Sequence, residues 1–190
     1  MKFSAAIASL AAAGSVLATP APSAAPSKPF GIMSLRSASP IHFGQVNAAQ
    51  SNIFINYPSQ GAKCEIKDQS KAPTTATFYI KDEVLYLYTG RGPVQKVFAD
   101  RSGMGQGKIG FLTGNGRLPP RFEIKGWKID RTGNLSFNGK GLIACPSIRG
   151  SWTIWVDTNN PTPGFNKGCL GFSARTINAF NPVRCEYSRQ

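Results

Sequence analysis

Short stretches in which apolar and polar residues alternate dominate the chain from residue 30 onward. One of them, ATFYIKDEVLYLYTG, is interrupted at Lys81–Glu83, and another, GWKIDRTGNLSFNGKGLIACP, at Asp130–Asn134. A third, GSWTIWVD, is an aromatic and β-branched run that ends before an Asn/Pro turn. Alternation of period two is typical of strands, and the polar interruptions are typical of hairpin turns. Because no window after residue 18 follows the helical period, the sequence predicts an all-β fold of many short antiparallel strands.

A weak internal repeat divides the predicted strands into three units. The segments Phe30–Ile32, Phe78–Ile80 and Trp127–Ile129 each place an aromatic residue two positions before an isoleucine, at spacings of 48 and 49 residues. Each is followed by a second alternating segment. Three units of several strands each favour a β-trefoil, and a β-sandwich is the alternative. Either fold would enclose a core of inward Phe, Ile, Leu and Trp side chains.

The N-terminal region differs in composition from the rest of the chain. Residues 1–18 begin with a lysine at position 2, continue as an Ala/Leu/Val run and end in small residues, which predicts a secretory signal peptide. Residues 19–29 are rich in Pro, Ala and Ser and predict a flexible lead. Residues 30–190 are expected to form a single domain. No later run is apolar over the roughly 20 residues that a membrane span needs, so no span is expected.

Four cysteines, Cys64, Cys145, Cys169 and Cys185, lie beyond the predicted leader. An even number on a secreted chain predicts two disulfides. The chain has no Cys-x-x-Cys and a single histidine, so we expect neither a metal nor another cofactor. We favour Cys169–Cys185 with Cys64–Cys145, because the first pair encloses one short segment that could fold back on itself. The other two connectivities stay open.

The chain is strongly basic, with a formal net charge of +13. Loss of the leader leaves 21 Lys and Arg against nine Asp and Glu, a net charge of about +12. Such a surface attracts phosphomannan, other acidic polysaccharides, anionic membranes or nucleic acid, or it serves only to keep the protein dispersed. The bases flanking predicted turns are the candidates for a partner: Lys81, Arg91, Lys96, Arg117, Arg121, Lys125, Lys128, Arg131, Lys140 and Arg149.

The stretch VFADRSGMGQGKIGF contains Gly103, Gly105 and Gly107 followed by Lys108, which has the look of a phosphate-binding loop. The phosphate-binding motif requires Ser or Thr after the lysine and a helix after the loop. Here Ile109 follows the lysine, and the pattern of IGFLTG predicts a strand. We therefore predict a ligand-free tight turn between two strands, with Asp100 or Ser102 bonding the turn's own amides.

The sequence contains no convincing set of catalytic residues. A Ser-His-Asp triad would have to use His42, for which a hydrogen-bonded position at a strand end is the simpler interpretation. Paired carboxylates can hydrolyse glycosides, but nothing singles out a pair among the nine acidic residues. Asp82, Glu83 and Asp130 sit in predicted turns. We predict no enzyme activity and no catalytic residue.

One modification site is predicted. Asn134-Leu135-Ser136 is the only Asn-x-Ser/Thr sequence without proline at the middle position. It follows the predicted turn at Asp130–Asn134, where a glycan would face solvent. The alternative is an asparagine that serves only the turn.

Several of these runs together resemble the PhiA family of fungal cell wall proteins. They are ATFYIKDEVLYLY, VFADRSGMGQGKIGFLTG, GWKID with NLSFNGKGLIACPSI, GSWTIWVD, NPTPGFNKGCLGFSAR and NPVRCEYS. The likeness extends from about Phe30 to Ser188 and includes all four cysteines. It implies a secreted, wall-associated protein of a filamentous ascomycete, with a role in phialide and conidium development and, in some members, IgE binding. It supplies no catalytic residues.

Four functions follow as hypotheses. The first is a structural or developmental wall protein held by non-covalent carbohydrate contacts or by charge. The second is a carbohydrate-binding module that stacks sugars on exposed Trp127, Trp152, Trp155 or tyrosines, although such aromatics more often form the core. The third is a basic effector or antimicrobial protein, and the fourth is a hydrolase. Wall polysaccharide is the expected partner, and nucleic acid is not.

Overall fold

The computed structural model describes residues 26–189. The strands within this range are β1 (Phe30–Leu35), β2 (Val46–Ala49), β3 (Asn52–Ile55), β4 (Lys63–Cys64), β5 (Phe78–Lys81), β6 (Val84–Leu87), β7 (Gln95–Asp100), β8 (Lys108–Thr113), β9 (Trp127–Ile129), β10 (Leu135–Phe137), β11 (Leu142–Pro146), β12 (Trp152–Val156), β13 (Leu170–Asn178) and β14 (Cys185–Glu186). Three single 3-10 turns lie at Gln69–Lys71, Ile148–Gly150 and Pro163–Phe165. The prediction of an all-β chain is confirmed.

The strand pairings close into a ring. Pairing runs in the order β11, β13, β1, β5, β6, β7, β8 and β12, and β12 pairs again with β11. The β2–β3 hairpin joins this ring because β3 pairs with both β8 and β12. Two small sheets, β9–β10 and β4–β14, complete the described part of the chain. All these pairings are antiparallel, as predicted.

The core lies inside the ring, and the side chains that form it alternate with outward-facing ones along the strands. Phe78, Leu85, Val97 and Ile109, from four consecutive strands of the ring, are buried among other apolar side chains. The three aromatic residues that head the predicted repeat are also buried, whereas Ile129 of the third unit is 38% exposed. The finer choice between a trefoil and a sandwich stays a prediction.

The hairpins predicted from the polar interruptions are present. β5 and β6 are joined by Asp82 and Glu83 alone, and both residues have a positive φ, of 51° and 62°. In a two-residue hairpin turn, a positive φ at both residues gives the turn a backbone twist that matches the right-handed twist of the flanking strands. The second interruption joins β9 to β10. These turns fix which side chains of β5 and β6 lie opposite one another.

The predicted leader, residues 1–18, lies outside the described residues, and so does most of the Pro/Ala/Ser-rich lead. Near the described end of that lead, the Ser27 N–H donates to the Ile80 carbonyl at 2.7 Å, and the Ile80 N–H donates to Ser27 Oγ at 2.8 Å. Ser27 is therefore held against β5. The division into a leader, a lead and one domain from residue 30 stays a prediction.

The structure pairs Cys64 with Cys185 and Cys145 with Cys169. The favoured pairing of Cys169 with Cys185 is therefore wrong. The nine residues of β13 occupy most of the segment between them, and an extended strand of this length carries the chain away by about 30 Å. Because β13 pairs with β11, Cys169 lies beside Cys145 instead. Cys185 is brought opposite Cys64 by the pairing of β14 with β4.

The C-terminal segment is clamped by buried polar groups. Gln95 Nε2 donates to the Tyr187 carbonyl and the Tyr187 N–H donates to Gln95 Oε1, both at 2.9 Å. The Tyr187 hydroxyl accepts from the Thr77 N–H at 2.9 Å. All three side chains are buried. Together with Cys185, this clamp fixes the last described residues to β7 and to the residue before β5.

We expect the fold to weaken at alkaline pH through Tyr187. Burial raises the pKa of this phenol to about 12, above its ordinary value of 10.0. Between these two pH values the unfolded chain loses a proton that the folded chain keeps, so the free energy of unfolding falls as the pH rises. A shift of this size corresponds to about 2–3 kcal/mol. Denaturant unfolding from about pH 9 to about pH 12 measures it, and Tyr187→Phe should remove this part of the slope. An equal slope in the variant would contradict the assignment.

Candidate functional site

The glycine-rich stretch is the turn between β7 and β8. Asp100 Oδ1 accepts from the Ser102 N–H at 3.1 Å and from its hydroxyl at 2.6 Å, and Ser102 Oγ accepts from the Gly105 N–H at 3.1 Å. Lys108 begins β8, so no helix follows the turn. The buried Asp100 carboxylate also pairs with Arg121 at 2.9 Å. The turn bonds its own amides, as predicted.

This turn is docked on a second loop through Gln106, a contact that the sequence did not suggest. Gln106 Oε1 accepts from Asn160 Nδ2 at 3.0 Å and from the Gly164 N–H at 2.8 Å. The two loops present apolar side chains to solvent, since Met104 is 85% exposed and Phe165 is 91% exposed. The glycine turn therefore has a structural role in joining the 101–107 and 157–166 segments.

A polar cleft beside the turn contains two carboxylates, from Glu123 and Asp157, together with Arg101 and Lys140. Arg101 holds Glu123 by two bonds, Nε to Oε1 at 2.9 Å and Nη2 to Oε2 at 2.6 Å. These bonds lower the pKa of Glu123, whereas a glycosidase acid needs a raised one. Asp157 Oδ1 accepts from the Asn159 N–H at 2.8 Å, which forms a local turn. The geometry fits a structural ion pair better than a proton donor.

The remaining single candidates have local roles. His42 lies in the turn before β2, and its Nδ1 accepts from the Arg36 N–H at 3.1 Å, so it is hydrogen-bonded as interpreted. Within residues 26–189, no group of three or more His, Cys, Asp or Glu side chains is placed to hold a metal ion. In the same range, no helix has the length and apolar character needed to cross a membrane.

Asn134 lies at the end of its predicted turn and is half-buried. Its N–H donates to Asp130 Oδ1 at 2.9 Å, and its side-chain nitrogen donates to Thr132 Oγ1 at 2.8 Å. Hydrogen bonds from Asn134 and Thr132 lower the pKa of Asp130. The side-chain nitrogen that would carry a glycan is thus also part of the turn, and glycosylation stays a prediction.

The tryptophans named as sugar-stacking candidates do not offer open faces. Trp127 and Trp155 are buried, and Trp152 packs against the core. The tyrosines of β5 and β6 and of the residue after β6 are half-exposed instead. The second hypothesis can therefore use tyrosine but not these tryptophans.

The predicted basic residues lie at the surface. Nine of the ten are exposed, and Lys96 is half-buried. Two of them are ion-paired, Arg121 with Asp100 and Lys128 with Glu83. The surface thus combines self-contained turns with many unneutralised cations, and no catalytic constellation stands out in the described range.

Two disulfides in a single-chain all-β structure are typical of secreted proteins. The family model described as PhiA-like secreted protein matches residues 30–188. A cell wall protein phiA from Arthroderma benhamiae is 53% identical over 186 residues, which cover 95% of this chain and 96% of that protein. Cell wall proteins phiA from Aspergillus niger and Emericella nidulans are each 45% identical, over 93% and 97% of this chain and 95% and 96% of their own lengths.

No solved structure matches the chain. The family model and the relatives nevertheless agree over nearly its whole length. The chain therefore belongs to the PhiA-like secreted protein family, as the resemblance implied. It is a secreted, cell-wall-associated fungal protein.

Proposed function

We propose that the protein is a non-enzymatic component of the wall that is retained by non-covalent contact with acidic polysaccharide. Its main support is the distribution of charge. Among residues 26–189, six Lys or Arg side chains form ion pairs with six of the nine acidic residues. The 21 cations in this range outnumber the nine acidic residues by twelve, so many cations cannot be neutralised by a carboxylate. Such a surface attracts polyanions over a Debye length of about 10 Å at 0.1 M salt.

We propose that retention in the wall underlies a role in phialide and conidium development. A small domain with self-bonded turns offers a stable body, and its cations offer many weak contacts that add up along a polymer. In the polar cleft, Arg101 donates hydrogen bonds to the Glu123 carboxylate and lowers its pKa. This arrangement supports a structural role for Glu123. A hydrolase would need that carboxyl group to donate a proton.

Retention on isolated walls should fall strongly as salt rises. Contacts between exposed charges are screened when the Debye length shrinks to about 3 Å near 1 M salt. The measurement is a pull-down of purified protein on isolated walls, chitin and β-glucan at low and high salt. Retention that is unchanged by salt would reject the electrostatic proposal. A charge-neutralised variant, Lys81→Gln with Lys125→Gln, should be retained less at low salt, because it removes two exposed positive charges.

Arg121 is unsuitable for such a variant. It neutralises the buried Asp100 at 2.9 Å, and leaving a buried polar group without its partner destabilises a fold by about 1–3 kcal/mol. A matched control is Lys71→Gln, which removes a cation from an exposed pair with Asp68. Because such a pair contributes about 0–1 kcal/mol, its loss should leave the fold intact and reduce retention less than the loss of two cations.

A further inference from the structure

Three tyrosines lie together on the outer face of the ring at β5 and β6. Inward side chains such as Phe78 and Leu87 are buried in the core. The alternate positions place Tyr79, Tyr86 and Tyr88 on the opposite face, where all three are half-exposed. We call these three residues the tyrosine face. The two-residue turn at Asp82 and Glu83 sets this arrangement by pairing Tyr79 directly with Tyr86.

The rings of the tyrosine face form an ordered group. Tyr79 and Tyr86 are stacked with centroids 5.0 Å apart and an angle of 11° between their planes. Tyr88 stands edge-on to Tyr79, at 6.3 Å and 86°. Each stacked ring keeps one face that is not covered by its partner. Partial burial raises the pKa of Tyr79 and of Tyr86, so both phenols stay neutral at ordinary pH.

Cations border the tyrosine face on several elements. The Arg184 guanidinium lies 5.7 Å from the centroid of the Tyr88 ring, and Lys96 on β7 is the strand partner of Tyr86. Lys81 ends β5, and Lys125 forms an isolated bridge with Val84. Two carboxylates also lie near, Asp82 in the turn and Glu65, which is 4.0 Å from Arg184. These named groups are four positive and two negative, and Glu83 of the same turn is paired with Lys128 at 2.7 Å.

We propose that the tyrosine face binds a phosphorylated polysaccharide, with the apolar faces of its sugar rings on the tyrosines and its phosphates beside the bordering cations. This site rests on the proposed function and names its ligand class. Aromatic faces are electron-rich and attract the C–H side of a sugar ring. Guanidinium and ammonium groups are the side chains that recognise phosphate. The excess of positive charge at the border favours a charged glycan over neutral glucan.

The alternative is that the stack only stabilises the β5–β6 hairpin. A cross-strand aromatic pair contributes up to about 1 kcal/mol of stability by itself. A purely structural stack would predict unchanged polymer binding in a folded variant. Measuring both binding and unfolding on the same variants therefore distinguishes a ligand-binding role from a purely structural one.

The test measures binding of phosphomannan, of the same mannan without phosphate, and of single-stranded DNA to the full mature chain. Tyr79→Thr and Tyr86→Thr remove the rings and introduce β-branched residues, which suit a strand as aromatic residues do. We expect each to weaken phosphomannan binding about tenfold. Phe180→Ser, which removes an aromatic residue that is 93% exposed outside the sheet, should bind like the natural chain. Dephosphorylated mannan should bind more weakly than phosphomannan.

Two further variants cover the case in which the threonine variants fail to fold. Tyr86→Phe should retain binding, because the ring is kept, and Arg184→Gln should reduce the preference for phosphomannan, because one of the four bordering cations is removed. Threonine variants, or Arg184→Gln, that bind like the natural chain would overturn this site while leaving the proposed wall retention standing. Preference for DNA over phosphomannan would overturn the glycan assignment. Failure of the natural chain to bind any wall polymer would overturn the proposed function itself.

Discussion

Replacement of Cys64 and Cys185 by alanine should lower the free energy of unfolding by about 5 kcal/mol, because the bond closes a loop with a sequence separation of 121 residues. Closing so long a loop removes much of the conformational freedom of the unfolded chain. The strands that hold these cysteines, β4 and β14, have two residues each. Without the bond, their two-residue pairing and the hydrogen bonds of Tyr187 and Ser188 would have to hold the C-terminal segment. Urea unfolding of the natural chain and of the double variant measures the loss.

The second disulfide supplies the matched control. Cys145→Ala with Cys169→Ala opens a separation of only 24 residues, for which the same relation gives about 3.5 kcal/mol. The strands β11 and β13 also remain paired without the bond. The first double variant should therefore be the less stable of the two. The opposite order, or a non-reduced peptide map that joins Cys169 to Cys185, would contradict the connectivity described here.

Local patterns predicted the hairpins because both partners of a hairpin are close in sequence. The polar interruption at Lys81–Glu83 is enough to place β5 against β6, and the glycines with Asp100 and Ser102 are enough to predict a self-bonded turn. The disulfide connectivity depends instead on which distant strands pair. The return of β13 along β11 places Cys169 beside Cys145, and no short-range feature of the sequence encodes that pairing.

The candidate site was predictable in part. Positions of the basic residues follow from their turns, and nine of ten are exposed as expected. The sequence analysis named tyrosines only as a class, although a two-residue turn after Lys81 puts Tyr79 opposite Tyr86 and places Tyr88 on the same face. Gln106 carried no signal, because its partners Asn160 and Gly164 come from a loop more than 50 residues away.

Gly107 is a position in the glycine turn where a side chain should be poorly tolerated. Its φ is +98°, and a Cβ built there would collide with the Val156 carbonyl oxygen. The Gly107 N–H donates to the Asp100 carbonyl at 2.7 Å, and its own carbonyl accepts from the Val156 N–H at 2.7 Å. A valine would therefore have to shift the backbone that joins the turn to the end of β12.

Gly107→Val should lower the free energy of unfolding by about 3 kcal/mol, since a strained φ and an overpacked contact each cost about 1–3 kcal/mol. Gly103→Ala is the matched control in the same turn, because a Cβ there meets no atom within 4 Å and its φ is not positive. Lys108→Ala, at an exposed position, should change stability by less than about 0.5 kcal/mol. Urea unfolding of the three variants distinguishes a structural turn from a ligand loop. Saturable ATP or GTP binding that is lost in Lys108→Ala would show instead that the turn serves a nucleotide.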